Sequence, residues 1–343
     1  MARIGIIGGG AWGTALALVA RRAGAEAVIW ARESDVVAAI NERHENPVFL
    51  PGIVLDPAIR AVADMTQAAQ ADAVLLVPPA QHLRATLKQL AAALPRGTPA
   101  VVCAKGIERG TCALMSEIAS DALPASPVAV LSGPTFAGEV ARGLPTAVTL
   151  ACADAGLAER LAGYIGSRRF RTYLSEDVVG AELGGAVKNV LAIACGITIG
   201  RGLGENARAA LITRGLAEII RLGLAKGARM ATLMGLSGLG DLTLTCNSAQ
   251  SRNTSFGILL GQGVALGDAI ARGAGVREGV YSAEAVRELS NRLKIEMPIC
   301  FAVDDILNRG VDIDAAISEL LDRPVGEEMA DLGAGLDRPQ HFG

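Results

Sequence analysis

Ile4-Gly-Ile-Ile-Gly8-Gly-Gly10-Ala-Trp-Gly13-Thr-Ala-Leu16 decides the fold. A short apolar run, Arg3 to Ile7, leads into a G-x-G-x-x-G pattern that opens a helix-like segment, Ala11–Arg22. In that context each glycine has its own physical task. Gly8 permits a tight turn, Gly10 lets a pyrophosphate approach the backbone, and Gly13 lets the helix pack on the strand. The helix amino terminus adds free N–H groups and the positive end of a dipole. A merely structural turn is the alternative, and the strand before and helix after weigh against it. Trp12 covers a cofactor or fills the core.

The alternation continues outward from this loop. Ala27–Trp30, Ile59–Ala63, Ala73–Val77, Ala100–Ala104, Val128–Leu131, Ala147–Ala151 and Phe170–Tyr173 read as strands, with Asp35–Arg43, Leu83–Leu94 and Thr111–Asp121 as helices between them. Such a rhythm predicts an α/β, Rossmann-like, largely parallel sheet with helices on both faces. After Ser175 the pattern is helical throughout, from Glu176–Gly202 to Ile313–Leu321, with glycine-rich joints. The expected division is a dinucleotide-binding domain over 1–178, an all-α domain over 179–325 and a mobile tail over 326–343.

Composition narrows the function. The 343 residues are 51% hydrophobic but only 3% aromatic, which suits parallel strands and close-packed helices. No uninterrupted apolar run of about 18 residues supports membrane insertion. A net charge of -3 gives no electrostatic case for nucleic acid. The six cysteines show no C-x-x-C spacing and read as reduced core residues of a cytoplasmic protein. Three scattered histidines make a histidine-based metal site improbable, so no metal is expected. Scarce histidine also moves acid–base work toward lysine.

Lys188 is the only charge between Glu182 and Arg201. An ammonium among Ala, Gly, Val and Leu is costly to bury unless it is paired or lines a polar pocket. Snorkelling to solvent is the bland alternative. Lys105 directly follows the strand Ala100–Ala104, and Ser132-Gly133-Pro134-Thr135 follows another; ligands of open parallel sheets bind beyond such strand ends. Asp241 is the one carboxylate of a glycine-rich turn, a helix cap or a partner for Lys188. Ser251-Arg252-Asn253 stands just before a helix, a good phosphate cradle. Arg32, with Glu33 beside it, sits about where a 2′-phosphate is met, so NADP is plausible beside NAD. Phe49 walls that pocket or plugs its own loop. The open readings are a dehydrogenase of a small phosphorylated molecule, a lysine-using hydroxy-acid or sugar-acid dehydrogenase, and a non-catalytic nicotinamide sensor.

Taken in order, Gly8–Gly13, Ala104-Lys-Gly106, Leu131-Ser-Gly-Pro-Thr-Phe-Ala137, Leu183–Asn189, Asn206–Glu218, Gly238–Cys246, Ser251–Asn253 and Gly275–Gly279 resemble the bacterial-type NAD(P)-dependent glycerol-3-phosphate dehydrogenases. The resemblance spans about residues 3 to 325. It implies interconversion of sn-glycerol 3-phosphate and dihydroxyacetone phosphate with NAD(P), for phospholipid synthesis, by a homodimer. It implies Lys188 as proton donor and acceptor, and Lys105, Gly133, Thr135, Asp241, Ser251, Arg252 and Asn253 as substrate contacts. For the cofactor it implies Ala11, Trp12, Arg32, Lys105, Ala137, Arg252, Val276 and Glu278. Two departures stand out: Ala11, where serine is common, and Gly9, where alanine is frequent and its loss is expected to be inconsequential.

Overall fold

The computed structural model describes residues 1–272 and 277–324, so Val276 and the tail from 326 lie outside the described residues. One sheet holds eight strands: β1 (Arg3–Ile7), β2 (Glu26–Trp30), β3 (Arg60–Val62), β4 (Ala73–Leu76), β5 (Ala100–Val102), β6 (Val128–Ser132), β7 (Thr146–Ala151) and β8 (Phe170–Ser175). Their order is β3-β2-β1-β4-β5-β6-β7-β8. Every neighbouring pair is parallel except β6 and β7. The chain therefore reverses order beside β1, and β1 and β4 end in a common crevice, where open α/β sheets bind ligands. Seven helices intervene: α1 (Ala11–Arg22), α2 (Ser34–Ala38), α3 (Met65–Ala69), α4 (Leu83–Leu90), α5 (Met115–Ala122), α6 (Ala137–Ala141) and α7 (Ala155–Ile165). The helix expected over Thr111–Asp121 begins only at Met115, because Ile107 and Leu114 bridge as extended backbone.

Among the described residues, helices alone follow Ser175: α8 (Val178–Gly200), α9 (Gly204–Ala225), α10 (Met230–Leu233), α11 (Asp241–Cys246), α12 (Arg252–Gly261), α13 (Leu266–Arg272), α14 (Arg277–Leu293), α15 (Pro298–Asn308) and α16 (Ile313–Leu321). The Asp177 carboxylate starts α8 by accepting the Gly180 N–H at 2.8 Å, and it also accepts the Arg229 N–H at 2.7 Å. By length and composition α8 is apolar enough to cross a membrane, yet 83% of its most apolar window is buried inside the fold. A helix hydrophobic all round is a core helix when other helices enclose it. Here α9, α11, α12, α14 and α15 do so.

The tightest contact in that core positions the site. Gly196 and Gly200 of α8 face Gly257 and Gly261 of α12. A methyl group built on Gly200 or Gly261 would lie 2.9 Å from the opposite glycine's Cα, so only hydrogen fits between the backbones. Lys188 stands two turns before Gly196, and α12 begins one turn before Gly257. The glycine seam thus fixes the start of α12 relative to Lys188.

Candidate active site

Asp241 is the centre of the polar cluster between the two halves. Its residue is fully buried and its carboxylate is shared by two lysines. Lys105 Nζ donates to one oxygen at 2.6 Å and to the Gly133 carbonyl at 3.0 Å. Lys188 Nζ donates to the other oxygen and to Thr245 Oγ1 at 3.1 Å. The sequence placed Asp241 in a turn; it is the first residue of α11, entered from a π-helical turn at Leu236–Gly240. That extra backbone width brings Gly238 against Leu233 and Ser237 against Gly184 of α8, seating α11 on α8. The carboxylate caps no helix; it pairs with the lysines.

The glycines before Lys188 have a visible purpose. A Cβ on Gly184 would lie 2.5 Å from the Ser237 carbonyl oxygen, and one on Gly185 would lie 3.2 Å from the Lys105 stem. The small residues let the π turn and the second lysine close on Lys188. Burial is the largest influence on the Lys188 ammonium and pulls its pKa from 10.5 down to about 8; Asp241 pushes it back up and the Lys105 charge lowers it. An amine in that range exchanges protons near neutral pH.

The dinucleotide loop meets this cluster from the sheet side. Gly8 has φ +126, a backbone region side chains rarely adopt, and its N–H donates to the Trp30 carbonyl at 3.1 Å. A Cβ on Gly13 would run into the Gly8 carbonyl, whereas nothing lies within 4 Å of one on Gly10. The middle glycine faces open space, and α1 has no side-chain cap over its first N–H groups, with Ala11 as its first residue. This is a fit for a pyrophosphate. Gly9 has a stronger reason than expected: an alanine Cβ there would lie 2.6 Å from that of Ala31. The Trp12 indole nitrogen is buried without a partner. Arg32 has an 82% exposed side chain and an ion pair with Glu33 at 3.0 Å, just beyond the Ala31 that packs on Gly9. Phe49 is 39% exposed, which suits a wall better than a plug. Ala137 is the half-buried first residue of α6.

The start of α12 joins the two ends. Ser251 Oγ caps it by accepting the Thr254 N–H at 3.2 Å, so the helix begins at Arg252. Thr254 Oγ1 donates to the Thr245 carbonyl at 2.7 Å, linking the Ser251–Asn253 corner to the Lys188 partner. Asn253 lies against Gly279 of α14. Glu278 beside it accepts the Ala80 N–H at 3.2 Å, from the loop that packs on Gly8. Burial raises the Glu278 pKa, while the Ala80 N–H and the Arg252 and His82 charges oppose the rise. Thr135 Oγ1 donates to the Gly133 carbonyl at 3.3 Å, next to Lys105.

Two residues went unread in the sequence. Thr245 donates to the Asp241 carbonyl at 2.6 Å and accepts from Lys188; its signal was a hydroxyl four residues after Asp241, on the same helical face. Asn46 is fully buried and donates to the Gly9 carbonyl at 2.9 Å and to Thr14 at 2.8 Å, pinning the Phe49 loop on the dinucleotide loop. Its only signal was an amide before Pro47 in an apolar stretch.

Known proteins resemble the chain over most of its length. The amino- and carboxyl-terminal family models of NAD-dependent glycerol-3-phosphate dehydrogenase match residues 3–158 and 177–318. The chain is 59% identical over 326 residues to a glycerol-3-phosphate dehydrogenase (NAD(P)+) of Rhodospirillum rubrum, covering 95% of this chain and 93% of that protein. It is 57% identical to one of Caulobacter vibrioides, covering 95% and 98%. The crystal structure of a glycerol-3-phosphate dehydrogenase from Coxiella burnetii is similar with a TM-score of 0.90 and 41% identity, covering 94% of this chain and 99% of that one.

Proposed function

The chain belongs to the NAD(P)-dependent glycerol-3-phosphate dehydrogenase family, and we propose that it interconverts sn-glycerol 3-phosphate and dihydroxyacetone phosphate with Lys188 as proton donor and acceptor. The observation that carries the assignment of roles is the buried Lys188–Asp241–Lys105 cluster, set between a dinucleotide loop and the capped start of α12. The reaction is an oxidoreduction with NAD(P), and its reductive direction supplies glycerol phosphate for phospholipids. We put the domain division at 178/179, just past the change from strand to helix between Ser175 and Val178. Assembly as a homodimer and a cytoplasmic location rest on the family resemblance.

When bound, NAD(P)H supplies the hydride. Gly8, Gly10, Ala11, Trp12 and Gly13 would hold its pyrophosphate at the α1 amino terminus, and Arg32 would meet the adenosine ribose or its 2′-phosphate. Phe49, Ala137 and Glu278 complete the wall, with Val276 assigned from the family pattern alone. Arg252 and Asn253 grip the substrate phosphate, and the Ser251 hydroxyl, which caps α12 with its lone pair, keeps its O–H free to donate. Lys105, Gly133 and Thr135 flank the carbonyl end. The Lys188 ammonium points one N–H at Asp241 and one at Thr245, which leaves a third for the substrate oxygen. It stabilises the alkoxide as it forms and then gives up the proton. Asp241 fixes the amine's direction, and Lys105 keeps that carboxylate from acting on Lys188 alone.

Cofactor oxidation tests the function directly. NADH and NADPH are each consumed with dihydroxyacetone phosphate and not with 2-keto acids; the opposite preference identifies a hydroxy-acid enzyme instead. Arg252→Ala raises KM for dihydroxyacetone phosphate by about tenfold or more, the loss of a charge-assisted hydrogen bond. Turnover of unphosphorylated dihydroxyacetone changes little. Equal weakening of both substrates removes Arg252 from the phosphate site.

A further inference from the structure

One face of α14 grips the loop that follows Lys105. The Arg109 guanidinium lies 4.8 Å from the centre of the Tyr281 ring and pairs with Glu284 at 2.7 Å. Further along, Arg292 donates to the carbonyls of Thr111 at 2.8 Å and Gly110 at 2.7 Å. Between these contacts the Cys112 thiol lies 4.0 Å from the Ala285 carbonyl oxygen. Of the α14 residues that take part, Glu284, Ala285 and Arg292 stand three, four and eleven positions after Tyr281, which keeps them on one helical face.

The loop is braced on its other side by the sheet half. Gln81 Nε2 donates to the Ile107 carbonyl at 2.8 Å and Gln81 Oε1 accepts the Arg109 N–H at 3.0 Å. Arg84 forks onto Glu108 at 2.9 Å. The loop needs the bracing, since Cys112 holds φ 60, a left-handed conformation that disfavours side chains. The first turn of α14, meanwhile, touches the proposed substrate residues: a methyl on Gly279 would run into the Asn253 amide oxygen. A single helix therefore abuts Asn253 at one end and carries the Lys105 loop along its side.

We propose that Arg109 is a positioning residue for the reaction: clamped between Tyr281 and Glu284, it holds the Lys105 loop in register with Asn253. The proposal rests on the dehydrogenase reading above. Lys105 and Asn253 are assigned to opposite ends of one small substrate, so their separation matters to its binding. The Gly8–Gly13 loop lies outside the clamp, but Lys105 and Glu278 are also assigned to the cofactor, so substrate binding depends on the clamp more than cofactor binding does.

Steady-state kinetics of NADPH oxidation with dihydroxyacetone phosphate test this in the full-length protein. Arg109 and Glu284 are about half exposed, so their removal leaves a folded protein. Arg109→Ala raises KM for dihydroxyacetone phosphate by about two- to fivefold and KM for NADPH by clearly less. Glu284→Ala acts in the same direction, and the double variant is no worse than Arg109→Ala, because the two form one unit. Arg109→Lys recovers part of the loss. Arg323→Ala, which breaks a comparably exposed ion pair with Glu296 elsewhere, leaves both KM values alone. An Arg109→Ala variant that melts earlier but keeps both KM values overturns the clamp, as do additive effects of the two single changes. A wild-type protein inert toward dihydroxyacetone phosphate overturns the dehydrogenase reading and the clamp with it; an active wild type with an unaltered variant overturns the clamp alone.

Discussion

Lys188→Ala loses at least about two orders of magnitude in turnover while the protein stays folded and binds NADPH as before, the usual scale for removing a positioned acid–base group. The fold survives because Asp241 keeps Lys105 at 2.6 Å, so truncation leaves no unpaired buried carboxylate. Cofactor binding survives because no residue of the dinucleotide loop is hydrogen-bonded to Lys188. Turnover with dihydroxyacetone phosphate and NADPH binding by calorimetry check the two halves of this expectation. Turnover within a few-fold of wild type would take Lys188 out of the chemistry; lost NADPH binding would mean that the variant damages the fold.

Asp241→Asn is the second large effect, and it falls on stability. The wild-type carboxylate neutralises two ammonium groups whose side chains are 17% and 9% exposed. An amide of the same shape leaves them facing each other, and breaking a buried pair costs about 3 to 5 kcal/mol. The dependence on pH has a definite sign. Burial already holds the folded pKa of Lys188 at about 8, below its ordinary 10.5, and loss of Asp241 removes the influence that raises it. A lysine with a depressed folded pKa destabilises most where it is charged in both states, below the folded value. The penalty shrinks as pH rises through that value toward 10.5. Urea unfolding therefore shows its largest deficit against wild type at acid to neutral pH; the deficit narrows as pH rises toward about 8 and changes no further between pH 8 and 10. A deficit that is small, or constant with pH, contradicts the shared-carboxylate account.

Much of this was legible in the residues, and the reasons for the remainder are physical. The inner strands are legible as short apolar runs, because strands buried on both faces are almost continuously hydrophobic; the edge strand β8, Phe170-Arg-Thr-Tyr-Leu-Ser, is largely unburied and reads as a strand without such a run. Strand direction leaves no such mark, so the antiparallel pairing of β6 with β7 was not visible. Lys188 was conspicuous as one charge in an apolar helix. Its geometry was not, because the width of the π turn at Leu236–Gly240 depends on packing against α8, and a run of glycine and leucine reads equally well as a loop. The need for Gly9 has no local mark because the neighbour it must clear, Ala31, belongs to another strand end. The contact of α14 with the loop after Lys105 joins residues more than 170 positions apart, beyond the reach of any local pattern.

In the proposed reaction one buried amine, Lys188, moves the proton in both directions. Single-turnover rates across pH, measured for reduction and for oxidation, test it most directly. Reduction requires the Lys188 ammonium, so its rate is flat at low pH and falls above a limb near 8. Oxidation requires the free amine, so its rate climbs to the same limb and then levels off. Mirror-image profiles that share one inflection, both absent in Lys188→Ala, are the predicted result. Parallel profiles, or an inflection that persists without the lysine, would assign the proton to another group.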